Sequence, residues 1–465
     1  MFWIPIDRKR DIPFVRQIYI QIRTQILRGD LPAGERLPST RQLSNELQVS
    51  RNVILEAYEQ LIAEGYIEAR QGSGTYVAEG TYLQQVHNVK CDTGFQDDAS
   101  TGAEKDMINF RSGIPDLRLF PRKTWAKLSY DVCHDISHNI LSYGNPEGRP
   151  ELRHALSRYL VKSRGVHCQP HQLVITSGAT QALTLVAKLV LSAGDKVILE
   201  DPITNDIQTI FSSPGSLLHP IPVDEYGMRT ELIAPDINPK CIFVTPSHQF
   251  PLGSTLPIQR RIQLIQYARA TGCYIVEDDY DSEFRYEGSP ISSLQGLDPD
   301  HVIYIGSFSK ILSPALRLGY LILPPRLIEQ CRKLKWFSDL HTPSLEQIIL
   351  GRFIEEGYLE RHILKMKKVY KKRRDHLVDI LINHFSHEVR VFGHSTGLHL
   401  IAEFKDKIFT EELLKKILHA GVHVYPVEDH TIQKGKHQNR IILGYGHLCE
   451  EDIEEGIRRL NMCLS

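Results

Sequence analysis

A chain of 465 residues exceeds one ordinary domain, and 42% hydrophobic with 24% charged side chains is the balance of a globular protein that buries real cores. Fifty-five Lys and Arg against 56 Asp and Glu leave a formal net charge of −1. That excludes a histone-like polybasic chain and an acidic tail protein, yet leaves room for one small basic face.

The longest apolar runs, such as Ala182–Ser192, are too short to span a bilayer. The N-terminal MFWIPIDRKR lacks the charge order and small-residue site of a signal peptide. Eight cysteines are scattered without a C-x-x-C pair, so reduced thiols in a cytoplasm are expected, with no zinc site and no disulfide framework.

Taken in chain order, residues 1–80 read as mostly helical. Val15, Ile18, Ile22 and Ile26 recur at helical spacing, and Gly29 stops that helix. Ser39 stands three residues before Gln42, a capping-box pattern that starts a short helix through Leu47. After a break at Gln48-Val49, Ser50 caps a third helix over 51–64. Two short helices joined by a tight turn form a helix-turn-helix, and YIEARQGSGTYVA adds a hairpin wing.

The exposed start of the third helix carries Ser50, Arg51 and Asn52. Arg suits guanine edges or phosphate, Asn suits adenine, and Ser with free helix N–H groups suits phosphate. Arg36, Ser39 and Arg41 would hold the DNA backbone, and the small-residue tip Gln71-Gly72-Ser73 would approach it closely. Residues 1–78 hold ten Lys and Arg against nine acids, a weak lean to DNA that leaves a small helical protein-interaction module as the alternative. The segment GDLPAGERLPSTRQLSNELQVSRNVILEAYEQLIAEGYIEARQGSGTYV, however, closely resembles the GntR-type winged helix, which implies DNA binding.

Residues 81–106 lack an apolar period and read as a linker. From 107 to 465 strands alternate with helices. QLVIT, DKVILE, CIFVTP, YIVEDD and HVIYIGSF are strand-length apolar runs, which predicts an α/β fold with a largely parallel sheet. Ligands in such sheets bind beyond the carboxyl ends of the strands.

Those ends carry Ser177-Gly178-Ala179-Thr180-Gln181, then Thr245-Pro246-Ser247-His248-Gln249, then Glu277-Asp278-Asp279-Tyr280, then Ser307-Phe308-Ser309-Lys310 with Arg317 beyond. One chemistry uses all of them. Lys310 would form a Schiff base with an aldehyde cofactor, Asp278 would keep a pyridinium nitrogen protonated, and Tyr280 would bond the ring phenolate oxygen. Gly178, Ala179, Thr180, Ser307, Ser309 and Arg317 would cradle a phosphate. A divalent metal on the acids at 277–279 lacks accompanying histidines or a water-ordering motif. The run 365–374 (KMKKVYKKRR) reads as a solvated basic face that in a regulator would also lie near DNA.

The motifs Y-x-N-P-E-G-x-P-x-L-R, T-S-G-A-T-Q-A-L, T-P-S-H-Q-F-P-L-G, E-D-D-Y-D-S-E-F and S-F-S-K-x-L-x-P-x-L-R-L-G-Y resemble fold-type I aminotransferases. More closely, with the winged helix, residues 12–460 resemble the MocR/GabR subfamily of GntR-type regulators. The resemblance implies a winged helix-turn-helix joined to a pyridoxal-phosphate large domain with a small C-terminal α+β subdomain. It further implies a head-to-tail, domain-swapped homodimer that senses an amine or amino acid by aldimine exchange at Lys310. By the same resemblance Tyr143 reaches the phosphate of the partner subunit, His248 or Gln249 lies near the ring oxygen, and Arg440 takes an effector carboxylate.

One departure stands out. Where that family has E-x-P-G-Y, this chain reads Glu200-Asp201-Pro202-Ile203-Thr204, followed by Asn205-Asp206. Thr204 cannot stack on a ring, and Asp206 would repel a carboxylate, so γ-aminobutyrate is disfavoured and a cationic effector group at Asp206 is expected. The rival functions are a working aminotransferase with an appended DNA-binding domain, and a DNA-binding protein with an inert second domain.

Overall fold

The computed structural model describes residues 4–8, 11–81 and 107–465. The chain divides into two compact units, Met1–Ala99 and Ser100–Ser465. The expected linker, apart from Thr81, lies outside the described residues. Among the described residues no helix is long and apolar enough to cross a membrane.

In the first unit the helix Phe14–Arg28 buries Ile18, Ile22 and Ile26, and Gly29 closes it at φ 78°, a left-handed geometry that favours glycine. The helix Thr40–Leu47 starts where Ser39 accepts from the Gln42 amide. Gln42 turns its side chain outward to Glu46, so the reciprocal half of the capping box is absent. Gln48 makes the tight turn at φ 53°, and Ser50 caps Arg51–Ala63 by accepting from the Val53 amide. The strands Ile67–Arg70 and Gly74–Val77 pair antiparallel from Ile67↔Val77 to Arg70↔Gly74. Ile18, Ile22, Leu43, Ile54, Leu61, Ile67 and Val77 share one core. This is a winged helix-turn-helix.

The second unit is built on an eight-stranded sheet. Lys196–Asp201, Leu217–Asp224, Cys241–Val244, Tyr274–Asp279 and Val302–Ser307 run parallel. Gly319–Ile322 lies antiparallel between Val302–Ser307 and the edge strand Leu173–Thr176. All five sequence-expected strands form, and three further ones, Leu217–Asp224, Gly227–Met228 and Gly319–Ile322, join them. Leu217–Asp224 carries Pro220 and Pro222, which argue against a strand in a sequence. Its outer side pairs only at Val223 and Asp224 with the short strand Gly227–Met228, so the amide hydrogens those prolines lack have no strand partner there.

Apolar clusters cover the sheet, one including Val174, Leu185, Val197, Phe243 and Ile305, another Leu156, Ile175, Tyr304 and Phe353. A four-stranded antiparallel sheet, ordered Val389–Phe392, His399–Phe404, Arg440–Gly444 and Tyr425–Pro426, packs with the helices Tyr358–Phe385 and Glu450–Leu464 as the small C-terminal subdomain.

Candidate functional site

A cavity of 490 Å³ opens at the carboxyl ends of the parallel strands, and Lys310, Asp278, Tyr280, Ala179, Thr180, Thr204 and Asp206 all line it. Lys310 sits in the turn after Val302–Ser307. Burial pulls its ammonium below the ordinary lysine range and Arg111 adds to this, while Asp281 and Asp278 oppose it.

Asp278 is the penultimate residue of its strand. Its Oδ1 is buried with no hydrogen-bond partner among the described residues. Burial, helped by Asp279 and opposed by Lys310, pushes this carboxyl up to about 7. A buried acceptor without a donor is costly unless something arrives to satisfy it. The neighbouring acids are committed to structure. Glu277 accepts from the Leu294 and Gln295 amides at 3.0 Å each, and Asp279 pairs with Arg164 at 2.7 Å, both side chains 4% exposed.

Tyr280 donates its hydroxyl to the His248 carbonyl at 2.9 Å and lies 3.2 Å from His248 Nδ1. That nitrogen is 2.8 Å from Asp281, and the His248 ring lies 4.8 Å from that of His399. The ligand atoms of His248, Asp281 and His399 fall within 4.8 Å of one another, but His399 Nε2 is bonded to the Pro251 carbonyl at 2.9 Å. His248, hydrogen-bonded to Asp281 and packed on the His399 ring, backs Tyr280. Gln249 donates to the Pro202 and Phe250 carbonyls at 2.9 and 2.6 Å, so it ties the loop together behind the cavity wall.

The phosphate-cradle residues converge. Gly178 adopts φ 99° just before the helix Ala179–Val190, and a Cβ there would meet the Arg317 guanidinium at 3.0 Å. Arg317 donates to the Ser177 carbonyl at 2.6 Å, and Ser307 Oγ lies 3.0 Å from Ser309 Oγ. The helix's first amides point into a space bounded by a cation and hydroxyls, an arrangement suited to an anion.

One expected site residue lies elsewhere. Arg440 pairs with Glu403 at 2.7 Å and lines a different, 910 Å³ cavity with Phe392 and His437. The reason is register. Arg440 begins its strand opposite Glu403, and the residue paired to His399, at the Lys310 cavity, is Gly444. Tyr143 is 78% exposed, edge-on to His341 and outside the cavity of its own chain. Thr204 presents no ring; its hydroxyl caps the helix Asn205–Ser212 by accepting from the Ile207 amide.

The basic run also differs from a wholly solvated face. Arg373 and Arg374 are buried, bonded to Asp116 and Glu287, while Lys368, Lys371 and Lys372 are exposed. Cavity residues not anticipated include Arg111, Ser112, Gly113, His399, Tyr425 and His430. Only R-S-G-I-P-D carried a local signal, its glycine, whose missing Cβ permits a close backbone approach. A Cβ on Gly113 would fall 2.9 Å from Lys310 Nζ.

In the first unit Arg36, Ser39, Arg41, Ser50, Arg51, Asn52, Gln71, Gly72 and Ser73 are all exposed. Arg51 Nε donates to Thr40 Oγ1 at 3.3 Å, which joins the two helices of the motif. Arg36 bridges to Tyr76 and lies against Gly74, which puts it beside the wing.

A winged helix and an aminotransferase fold in one chain define a class of DNA-binding regulators built on an enzyme scaffold. Comparison with known proteins agrees. Residues 14–77 match the gntR family of bacterial regulatory proteins, and residues 105–460 match aminotransferase class I and II. The chain is 34% identical to the probable rhizopine catabolism regulatory protein MocR of Rhizobium meliloti, over 98% of this chain and 94% of that one. It is 36% identical to the HTH-type transcriptional regulator YhdI of Bacillus subtilis, over 98% and 96%. Kynurenine aminotransferase of Pyrococcus horikoshii, solved in complex with PMP, superposes with a TM-score of 0.72 at 29% identity, covering 77% of this chain and 91% of that one. The chain belongs to the MocR-type family of transcriptional regulators, which join a GntR winged helix to a class I and II aminotransferase domain.

Proposed function

We propose that this regulator binds pyridoxal 5'-phosphate at Lys310 and senses an amine or amino acid there, and that the ligand changes its hold on DNA. The observation that carries the reading is the joint presence, in one cavity, of an amine with lowered basicity at Lys310 and a buried carboxyl oxygen without a donor at Asp278. When bound, the cofactor supplies an aldehyde that exchanges one amine for another.

The chain's own groups have separable roles. Lys310, whose basicity burial lowers, offers the amine nucleophile. Asp278 would hold a ring N–H, giving Oδ1 the donor it lacks. Tyr280, whose hydroxyl donates to the His248 carbonyl here, would turn that donor to the ring oxygen. His248 and Gln249 shape that wall from behind. Gly178, Ala179, Thr180, Ser307, Ser309 and Arg317 hold the phosphate by amides, hydroxyls and charge. Thr204 and Asp206 form the effector side of the cavity.

In this reading residues 1–80 bind DNA, 81–106 link, and 107–465 sense. Ser50, Arg51 and Asn52 enter the major groove, while Arg36, Ser39, Arg41, Gln71, Gly72 and Ser73 hold phosphates. The chain works as a head-to-tail, domain-swapped homodimer in the cytoplasm, and the exposed Tyr143 completes the phosphate site across the dimer. The ligand acts by binding one domain arrangement better than another, since equal binding would shift nothing.

The test combines absorbance and DNA binding. Cofactor-loaded protein shows a visible band that Lys310→Ala loses, and candidate amines change the affinity for DNA flanking its own gene. A band that survives Lys310→Ala, or DNA binding indifferent to every amine, overturns the proposal. A working aminotransferase is the second reading, favoured by the complete Lys310, Asp278 and Tyr280 set. Sustained keto-acid-dependent turnover would establish it.

A further inference from the structure

We infer that Arg111 is the carboxylate anchor of the Lys310 cavity and that, with Asp206, it selects an α-amino acid bearing a second basic group. The inference rests on the proposed amine-sensing role and names its ligand class.

The arginine that the resemblance assigned to a carboxylate is committed elsewhere, to Glu403. Arg317 is turned to the Ser177 carbonyl. Arg111 lines the cavity, and its guanidinium makes no ion pair or hydrogen bond among the described residues. Its charge nevertheless reaches Lys310, whose basicity it lowers.

The backbone that carries it is fixed. The Arg111 amide donates to Asn109 Oδ1 at 3.0 Å, and a Cβ on Gly444 would strike the Arg111 carbonyl oxygen at 2.2 Å. Two residues on, Gly113 abuts Lys310 Nζ. An exposed guanidinium on a clamped backbone, at the edge of the Lys310 cavity, suits a planar, bidentate acceptor.

The cavity also holds an uncompensated acid. Asp206 lies in the first turn of Asn205–Ser212 without a cationic partner among the described residues. Its charge is felt by His430, whose own basicity burial depresses, so that imidazole is neutral and does not cancel it. Leu183, Ile203, Ile207, Ile210 and Phe250 supply apolar wall in the same cavity. A carboxylate for Arg111, methylenes for the wall and an ammonium for Asp206 describe a diamino acid.

Isothermal titration of the cofactor-loaded full chain separates these contributions with three probes: L-lysine, cadaverine (no carboxylate) and L-norleucine (no second amine). Arg111→Met weakens L-lysine and L-norleucine by roughly tenfold to a hundredfold, the range of a charge-assisted bond, and leaves cadaverine unchanged. Asp206→Asn weakens L-lysine and cadaverine and spares L-norleucine. Retained cofactor absorbance and DNA binding show that each variant is folded.

The inference is overturned if Arg111→Met affects all three probes alike or none, if L-norleucine binds the wild type as tightly as L-lysine, or if no probe binds. These failures leave the loss of cofactor absorbance in Lys310→Ala untouched, so the amine-sensing proposal is judged separately.

Discussion

Replacing Asp278 with Asn keeps shape and removes charge, and the consequence differs in sign between the cofactor-free and cofactor-bound protein. In the unfolded chain this carboxyl ionises near 3.8, whereas in the fold burial holds its proton to about 7. Between those values the native state binds the extra proton, so stability conferred at low pH is lost as pH rises, and the loss levels off above 7. One group contributes at most about 1.4 kcal/mol per pH unit, or on the order of 4 kcal/mol across the gap. The residue is half-buried, which makes that an upper bound.

Glu200, Glu277 and Glu283 are also raised to about 7 by burial and share this slope. The informative quantity is therefore the difference between variant and wild type. Urea denaturation of the cofactor-free proteins from pH 5 to pH 8 should show Asp278→Asn gaining on wild type up to pH 7 and holding a constant lead beyond. The same variant should release cofactor more readily, read by absorbance after gel filtration. Equal stability at every pH, or a variant less stable at pH 8, would refute the account of Asp278 as an unpaired buried acid.

Further outcomes follow from single contacts. Arg164→Met strands Asp279 and removes a donor to Ser247, and should cost about 3–5 kcal/mol in denaturation because it leaves one buried charge unpaired. Gly113→Ala places a Cβ 2.9 Å from Lys310 Nζ at φ +70°, and should lower stability by about 1–3 kcal/mol while weakening cofactor uptake by spectral titration. Ser50→Ala removes the acceptor for the Val53 amide and should lower the stability of the first unit by about 1 kcal/mol in thermal melts. Arg51→Ala should relax discrimination at one operator position by about 1–3 kcal/mol in competition binding, whereas Arg41→Ala should weaken all sequences alike.

Much of the first unit was legible because its signals are local. Ser39, Gln48, Ser50 and Gly29 act on amides a few residues away, and their conformations follow from residue type. The strand-end residues Gly178, Asp278, Tyr280 and Lys310 were legible for a related reason, since apolar runs announce strands and a parallel sheet gathers their carboxyl ends at one edge. Arg440 shows where this stops. It begins the strand Arg440–Gly444, but which residue of that strand faces the cavity depends on pairing with His399–Phe404, forty residues away in sequence.

By itself, then, the sequence determined the two architectures, the winged helix and the lysine at a strand end, since periodicity, caps and turns are short-range consequences of residue type. Tertiary structure decided the occupants of the cavity. It withdrew Arg440 to Glu403, sank Arg373 and Arg374 of the basic run into the core, and brought Arg111 to Lys310 across nearly two hundred residues of chain. Those outcomes rest on strand register and on which charges find partners when elements pack, and neither is encoded within any one stretch of residues.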